Sequence, residues 1–306
     1  MFLAISYNRP TFDPLATWIS DGITLTNNIT VGARPNGLFI DRNDIVYIAN
    51  RANSVIQIWS TTNNSLIKNI TTSLINPYSL FVTMNGDIYT DNGASNSRVD
   101  KWTTNGTGYI TVMSVKAACY GLFIDIQNSL YCSMYDNNLV AMTSLNQNSS
   151  IWTIATGTEC ILPTSNALIN PCGIFVDTNL NLYVADKGNN RIQKFSSSQL
   201  IGITVAGSGA TNTITLNGPT GVILDSNGDL FIVDSGNHRI VGSGPNGFRC
   251  IIACSGTSGS SSNQLNSPVS MSFDSYGNIF VVDRNNSRIQ KFMLNSSTTV
   301  RKYLIF

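Results

Sequence analysis

Charge is scarce in this chain of 306 residues: lysine and arginine number 18, aspartate and glutamate 17, and the formal net charge is +1. Charged residues make up 11% of the chain, whereas globular domains usually carry about 25%. Binding to nucleic acid or to an anionic membrane surface requires a dense basic footprint, so we expect neither. No apolar run approaches the ~20 residues of a membrane span, which predicts no direct membrane insertion from this chain.

Residue patterns typical of zinc sites are also missing. Histidine occurs once, at His238, and none of the six cysteines forms a Cys-x-x-Cys pair, so we predict no metal and no cofactor. The even cysteine count, together with Asn-x-Ser/Thr sequons, favours an extracellular or cell-surface protein whose signal or anchor lies outside this chain, with a cytoplasmic protein as the alternative. The candidate glycosylation sites are Asn28, Asn63, Asn69, Asn105, Asn148, Asn285 and Asn295.

The cysteines suggest three disulfides. We predict a bridge between Cys250 and Cys254, because a kink at residues 251–253 would bring their Cα atoms within the ~7 Å that bridging needs. The other two pairings, Cys119–Cys132 and Cys160–Cys172, follow only from nearness in sequence.

An internal repeat decides the architecture. Six segments share an apolar strand, a turn, a second strand, a polar loop and a third strand, and their first strands lie near Gly37, Ser79, Gly121, Gly173, Gly221 and Ser270. The ends of these strands are 42, 42, 52, 48 and 49 residues apart. Multi-stranded repeats of about 40–50 residues are typical of propeller blades. We therefore predict an all-β fold, a six-bladed β-propeller of four-stranded antiparallel blades.

The loops after the second strands carry a recognisable motif. Asp186-Lys-Gly-Asn-Asn-Arg191-Ile and Asp234-Ser-Gly-Asn-His-Arg239-Ile resemble the NHL-repeat signature. The resemblance covers about residues 34 to 293 and is best in repeats four, five and six. Repeat two keeps an Asp and an Arg around a longer loop, whereas repeats one and three lack the Arg. The resemblance implies a propeller of the NHL type.

The Asp and Arg of the motif recur at one place in four repeats, which indicates structural ion pairs that fix the loops. The residues concerned are Asp91, Asp186, Asp234 and Asp283 with Arg98, Arg191, Arg239 and Arg288. We interpret His238 as a loop residue as well, because repeats four and six carry Asn190 and Ser287 at its position.

A ring of blades has to close. The segments Ala16-Thr-Trp18 and Gly22-Ile-Thr-Leu25 resemble a third-strand end and a fourth strand, with Trp18 at the place of Trp102. We therefore expect the N-terminal segment to complete the last blade, although residues 298–306 compete for the same edge. The predicted organisation is an extension at 1–15, a propeller at 16–297 and a tail at 298–306.

Catalytic constellations are not apparent. Calcium-dependent six-bladed hydrolases such as gluconolactonases hold their metal with acidic and Asn ligands in the channel. Asn36, Asn76 and Asn170 precede first strands, but no carboxylate stands beside them, and hard cations prefer several oxygens that include carboxylates. The glycine-rich segments 207–210 and 256–259 lack the Lys-Ser/Thr of a phosphate-binding loop. We predict no catalytic residues.

Tyrosines mark the candidate ligand site. The position just before each first strand reads Asn36, Tyr78, Tyr120, Cys172, Thr220 and Val269. Adjacent repeats thus bring Tyr78 and Tyr120 to one rim, with Tyr135 in the next loop. Because tyrosine offers apolar area and a hydroxyl at low entropic cost, we predict ligand contacts at these three residues, with packing at the rim as the alternative.

These patterns favour a non-catalytic scaffold that recognises a protein, peptide or glycan through one propeller face. One alternative is a substrate-recognition propeller related to tripartite-motif-type ubiquitin ligases, for which all six thiols should be free. The other is a calcium-dependent lactonase-like or lyase-like propeller enzyme, which would hold calcium in its channel. The sequence specifies no oligomeric state.

Overall fold

The computed structural model describes residues 5–26, 31–71, 73–103, 108–147, 150–158, 167–197 and 199–295. Within them, 24 strands form six four-stranded antiparallel sheets arranged as a β-propeller, as predicted. Helical structure there is limited to α1 (Gly93–Asn96) and four single 3₁₀ turns, at Tyr135–Asn137, Lys187–Asn189, Ser235–Asn237 and Arg284–Asn286. No helix in these ranges is long and apolar enough to span a membrane.

Each blade consists of an inner strand, two middle strands and an outer strand. The first strand of the chain, β1 (Ile23–Thr26), belongs to the last blade. Blade one comprises β2 (Pro35–Ile40), β3 (Ile45–Asn50), β4 (Val55–Ser60) and β5 (Ser65–Ile70). Blade two comprises β6 (Leu80–Val82), β7 (Ile88–Asp91), β8 (Arg98–Trp102) and β9 (Tyr109–Ser114). Blade three comprises β10 (Cys119–Ile124), β11 (Ser129–Met134), β12 (Leu139–Ser144) and β13 (Thr153–Gly157).

The second half of the ring repeats this order. Blade four comprises β14 (Pro171–Val176), β15 (Leu182–Asp186), β16 (Arg191–Phe195) and β17 (Ile203–Gly207). Blade five comprises β18 (Gly221–Leu224), β19 (Leu230–Asp234), β20 (Arg239–Gly242) and β21 (Arg249–Ile252). Blade six comprises β22 (Pro268–Phe273), β23 (Ile279–Asp283), β24 (Arg288–Phe292) and β1.

Neighbouring inner strands approach so closely that the first residue of the repeat has to be small. A Cβ added at Gly121 would lie 2.7 Å from the Cys172 carbonyl oxygen, and one at Gly173 would lie 2.8 Å from the Gly221 Cα. Contacts this short cannot be relieved by a side-chain movement, because the neighbouring atoms belong to the backbone. In blade two a serine fits, and its Ser79 Oγ donates to the Cys119 carbonyl at 2.7 Å.

The Asp that ends an inner strand organises the following turn, as expected from its hydrogen-bonding capacity. In blade three, Asp125 Oδ1 accepts the N–H groups of Gln127 and Ser129 at 2.9 and 2.8 Å. The same pair of bonds recurs at Asp41, Asp177, Asp225 and Asp274. The turns therefore have one shape in five of the six blades.

The N-terminal segment closes the ring, as predicted. β1 pairs antiparallel with β24, with Ile23 opposite Lys291 and Thr24 opposite Gln290. The segment therefore supplies the outer strand that blade six would otherwise lack. The competing tail at residues 298–306 lies outside the described residues.

The expected equivalence of Trp18 and Trp102 is wrong. Trp102 pairs with Ile88 in blade two, and the matching residue opposite Ile279 in blade six is Phe292. Trp18 is not at the end of a third strand, because β24 already fills that place. Its indole Nε1 instead donates to the Gly277 carbonyl at 2.9 Å.

Two of the three predicted disulfides are present. Cys119–Cys132 links the inner and second strands of blade three, and Cys250–Cys254 bridges a kink at which Ala253 has φ 55°. The third pairing is not formed: Cys172 carries a free, buried thiol that approaches the Asn170 carbonyl at 3.6 Å, and Cys160 lies outside the described residues.

Candidate ligand-binding face

The two ends of the propeller differ in construction. We call the end that bears the turns between inner and second strands the bottom face. The top face is the end that bears the loops between second and third strands and the connections into the inner strands. A central cavity of about 120 Å³ lies between them and is lined by the inner strands of all six blades. Its lining extends from Tyr7 at the bottom to Tyr78 and Tyr120 at the top.

An aromatic plug closes the bottom of the cavity, a feature that the sequence did not indicate. Tyr7 contacts three inner-strand rings edge-on, with centroid distances of 6.4 Å to Phe81, 5.4 Å to Phe123 and 5.5 Å to Phe175. Burial raises the pKa of the Tyr7 hydroxyl to about 12, so it remains neutral at physiological pH. The cavity is thereby blocked at this end.

Polar contacts hold the segment around Tyr7 across the bottom face. Asn8 Nδ2 donates to the carbonyl oxygens of Asp41 and Phe273 at 2.9 and 3.2 Å. Arg9 Nη2 donates to the Asp225 carbonyl at 2.7 Å. These bonds connect blades one, five and six, and they leave the top face as the accessible side of the cavity.

The structure brings the three predicted tyrosines together on the top face. Their rings form one stack, in which Tyr78 and Tyr120 lie 4.2 Å apart and Tyr120 and Tyr135 lie 4.4 Å apart. Arg51 covers the Tyr78 ring at 4.4 Å, and the Lys187 Nζ lies 5.3 Å from the Tyr135 centroid. The ring faces are thus engaged within the protein.

Sequence reasoning identified only Tyr135 of a second ring of residues on this face. The position that follows each second strand reads Arg51, Asn92, Tyr135, Lys187, Ser235 and Arg284. The signal in the sequence is the variable residue that follows the Asp of the repeat motif. Three of the six residues are cations and none is acidic.

Arg284 lies close to the tyrosine stack. Burial lowers the pKa of its guanidinium, the like charges of Arg51 and Arg34 lower it further, and Tyr120 and Tyr78 act in the opposite direction. Its Nε is buried and has no hydrogen-bond partner among the described residues. Positive charge from two adjacent blades therefore converges at one side of the cavity mouth.

Three of the four predicted Asp–Arg pairs are formed. Arg191, Arg239 and Arg288 donate through Nε to Asp186, Asp234 and Asp283 at 2.7, 2.8 and 2.7 Å. The other carboxylate oxygen accepts a backbone N–H from the preceding connection, at Ile169, Asn217 and Asn266 respectively. Both oxygens are satisfied internally, which is consistent with a structural role.

The pair predicted in blade two is wrong. Arg98 forms its ion pair with Asp100 at 2.9 Å, because the longer loop shifts the register and places Asp91 opposite Val99. Asp91 instead accepts the N–H groups of Cys119, Tyr78 and Gly93. Since the carboxyl is fully buried without a cation, desolvation raises its pKa to about 7.

The residues considered for metal binding have structural contacts. Asn36 Nδ2 donates to the Tyr78 carbonyl, Asn170 Nδ2 donates to the Tyr135 carbonyl, and the Asn76 N–H donates to Ser54 Oγ. His238 Nδ1 accepts the Ser267 N–H at 3.0 Å. Within the described ranges, no three His, Cys, Asp or Glu side chains converge as metal ligands would.

Four of the predicted glycosylation sites are exposed: Asn63, Asn69, Asn285 and Asn295. Asn285 lies on the top face, and its Nδ2 donates to Asn266 Oδ1 and Ser267 Oγ. A glycan attached at that nitrogen would replace these bonds. Asn28, Asn105 and Asn148 lie outside the described residues.

Fold and repeat together define the class, a six-bladed β-propeller closed by its N-terminal strand. The family model for the NHL repeat matches residues 168–195, 216–242 and 265–292, which are parts of blades four, five and six. The chain is thus a six-bladed β-propeller that carries NHL repeats in blades four, five and six. The comparison with curated proteins found no match in sequence.

Solved structures with this architecture have diverse descriptions. A Bacteroides thetaiotaomicron VPI-5482 protein of unknown function has a TM-score of 0.72 at 13% identity, over 96% of this chain and 75% of that chain. An auxiliary nutrient binding protein from Bacteroides ovatus ATCC 8483 has a TM-score of 0.69 at 14% identity, over 96% and 77%. Virginiamycin B lyase from Staphylococcus aureus has a TM-score of 0.62 at 13% identity, over 90% and 98%. At these identities the likeness shows the fold alone.

Proposed function

We propose that this propeller is a non-catalytic binding scaffold that recognises a protein, peptide or glycan through its top face. The observation that carries the proposal is the contrast between a constant loop framework and variable side chains. Asp186, Asp234 and Asp283 hold their loops with the same bonds, while the residue that follows each of them is Lys187, Ser235 or Arg284. Variable residues on a rigid scaffold are typical of recognition surfaces.

The top face is also the accessible one. The segment around Tyr7 covers the bottom of the cavity, whereas the tyrosine stack and the cations lie around its other end. The stacked rings of Tyr78, Tyr120 and Tyr135 hold Arg51 and Lys187 at the rim by cation–π contacts. The tyrosines therefore contribute by positioning charge and by presenting hydroxyls.

An extracellular or cell-surface location accompanies this proposal. The disulfides Cys119–Cys132 and Cys250–Cys254 would persist in an oxidising compartment and are rare in the cytosol. These disulfides also disfavour the ubiquitin-ligase alternative, which requires all four of these cysteines to be free thiols. The auxiliary nutrient binding protein among the structural neighbours is a binding protein on the same fold.

The enzyme alternative finds support in the comparisons with virginiamycin B lyase and with a putative gluconolactonase. In this chain the lone histidine is bound to the Ser267 N–H, and the channel-side amides of Asn36 and Asn170 donate to backbone carbonyls. Lactone hydrolysis that depends on added calcium would support the enzyme alternative and contradict a non-catalytic scaffold.

The proposal is tested by screening the labelled chain against an array of neutral and acidic glycans and a displayed library of random peptides. Binding of the strongest hit should be weakened at least tenfold by Lys187→Glu and by Tyr120→Phe, which removes a hydroxyl and keeps the stack. Arg42→Glu, in an exposed turn of the bottom face, is the matched control and should change nothing. If only Arg42→Glu abolishes binding, the ligand binds the bottom face and the proposal is wrong.

A further inference from the structure

Four cations lie on the top face near the tyrosine stack, without a carboxylate partner among the described residues. Arg51, Lys187 and Arg284 follow second strands, and Arg34 precedes β2, where its N–H reaches Ser287 Oγ at 3.5 Å. None of the four belongs to a salt bridge in the described part of the chain. In a molecule with a net charge of +1, this concentration is a local feature.

The cations act on a common region. Lys187 and Arg284 both lower the pKa of the Cys172 thiol, although burial outweighs them and raises it to about 12. The negative charges that reach this region are Asp186, which is bound to Arg191, and the exposed Asp136 near Tyr120. Repulsion between neighbouring cations is unfavourable, and a bound anion would relieve it.

The cavity below these cations has a closed floor and a wall that is partly apolar and partly polar. Leu80, Leu122 and Met271 line it, and Tyr7 ends it. Its volume of about 120 Å³ is slightly below that of a cavity of about 150 Å³ that takes up benzene in another protein. A body of about six carbon atoms fits such a space, whereas a polymer cannot pass through because the bottom is blocked.

We infer that the central cavity is a binding site for a small organic acid, whose carboxylate lies among Arg51, Lys187 and Arg284 while its apolar body enters the cavity. Arginine pairs with carboxylates through two parallel N–H donors, and the buried Nε of Arg284 is a free donor of this kind. The site stands independently of the proposed function, since a small acid can occupy the cavity whether or not a macromolecule contacts the rim.

Isothermal titration calorimetry at low ionic strength tests this inference with benzoate as the probe. Benzyl alcohol keeps the ring without the charge, and acetate keeps the charge without the ring. We expect benzoate to bind at least tenfold more tightly than either, because each omits one half of the recognition. Equal affinities for benzoate and benzyl alcohol would overturn the inference, and so would the absence of benzoate binding.

Substitutions of the cations test whether benzoate binds at the proposed site. Arg284→Gln and Lys187→Gln should each weaken benzoate binding about tenfold, whereas Arg42→Gln on the bottom face should leave it unchanged. Thermal melting identifies a variant that fails to fold, and the two top-face variants lie in different blades, so one remains informative. If Arg42→Gln weakens binding as much as the top-face variants, the effect is nonspecific attraction and the inference is wrong.

Discussion

The two halves of the ring solve the same structural problem differently. Blades four, five and six match the NHL-repeat model and fix their top loops with buried Asp–Arg pairs. In blades one, two and three the equivalent Asp is replaced by Asn50, retained as Asp91 without its Arg, or replaced by Met134. Both halves nevertheless form complete four-stranded blades.

This difference indicates that the Asp–Arg pair specifies the shape of the top loop and is not needed for a blade to form. Strand pairing and burial of the inner strands maintain the propeller in both halves. Once a loop is released from the ion pair, its residues are free to vary, and the divergent half carries the stack of Tyr78, Tyr120 and Tyr135. Both halves maintain the ring, the divergent half carries the tyrosine stack, and Lys187 and Arg284 lie in the regular half.

The largest expected effect comes from the strand that joins the two halves. Deleting residues 1–28 removes β1 from β24, and it also removes the buried Phe12 and Trp18 and the half-buried Tyr7. Burial of apolar area contributes about 25 cal/mol per Å², so several kcal/mol of the typical 5–15 kcal/mol would be lost. We expect a sharply lower melting temperature or no folding, measured by circular dichroism.

Deleting residues 298–306 is the control and should have the smaller effect. If the C-terminal deletion is the more damaging, the tail rather than the N-terminal segment closes the ring.

Removing one loop-fixing side chain from each half tests this difference. Asp283→Ala should cost about 3–5 kcal/mol, because it leaves the Arg288 guanidinium and the Asn266 N–H without their partner. Asn50→Ala in blade one removes neutral hydrogen bonds to Val31 and Asn53 and should cost about 1–3 kcal/mol. Urea unfolding measures both, and equal losses would show that the ion pair has no special role.

The two disulfides should differ in the same assay. Cys119–Cys132 closes a longer loop than Cys250–Cys254, with sequence separations of 13 and 4. Because the entropy removed from the unfolded chain grows with loop length, replacing the first pair by alanines should cost about 3 kcal/mol and the second about 2 kcal/mol. A larger loss from the shorter loop would contradict this ranking.

A further prediction concerns the pH dependence of stability. The pKa of the Asp91 carboxyl is raised from 3.8 to about 7, mainly by burial, so the folded state binds its proton more tightly than the unfolded chain does. The stability from this group is complete below pH ~4 and is lost as the pH rises through about 7. Asp91→Asn should therefore gain stability relative to wild type between pH 4 and pH 7.5.

Urea unfolding at several pH values checks this prediction. The raised pKa of Asp225, about 6, gives a slope of the same sign in both proteins and cancels in the difference. Parallel stability curves for wild type and Asp91→Asn would show that Asp91 does not titrate in this range.

The fold was largely readable from the sequence because its signals are local and repeated. Gly121 and Gly173 mark inner strands, Asp125 and Asp225 mark the turns, and the sequence match of residues 22–25 identified the closing strand. The pairing of Arg98 was misjudged because a longer loop changes register, which spacing alone does not show. The plug at Tyr7 was missed because its contacts with Phe123 and Phe175 are long-range and belong to no repeat.

Only part of the candidate site could be predicted from the sequence. Aligning the repeats placed Tyr78 and Tyr120 together. The alignment did not show that Arg51 and Lys187 cover the outer rings of the stack. That information depends on which side chains meet across neighbouring blades. The cations were visible only as variable loop residues, each unremarkable in its own repeat.

The central claim, that ligands bind at the top face, is tested most directly by hydrogen–deuterium exchange with and without the strongest hit of the glycan and peptide screen. We predict protection in the loops at 51–54, 92–97 and 135–138 and at the cationic loops 187–190 and 284–287. The bottom-face turns at 41–44, 125–128 and 225–229 should exchange at the same rate in both samples. Protection confined to those turns would contradict the account.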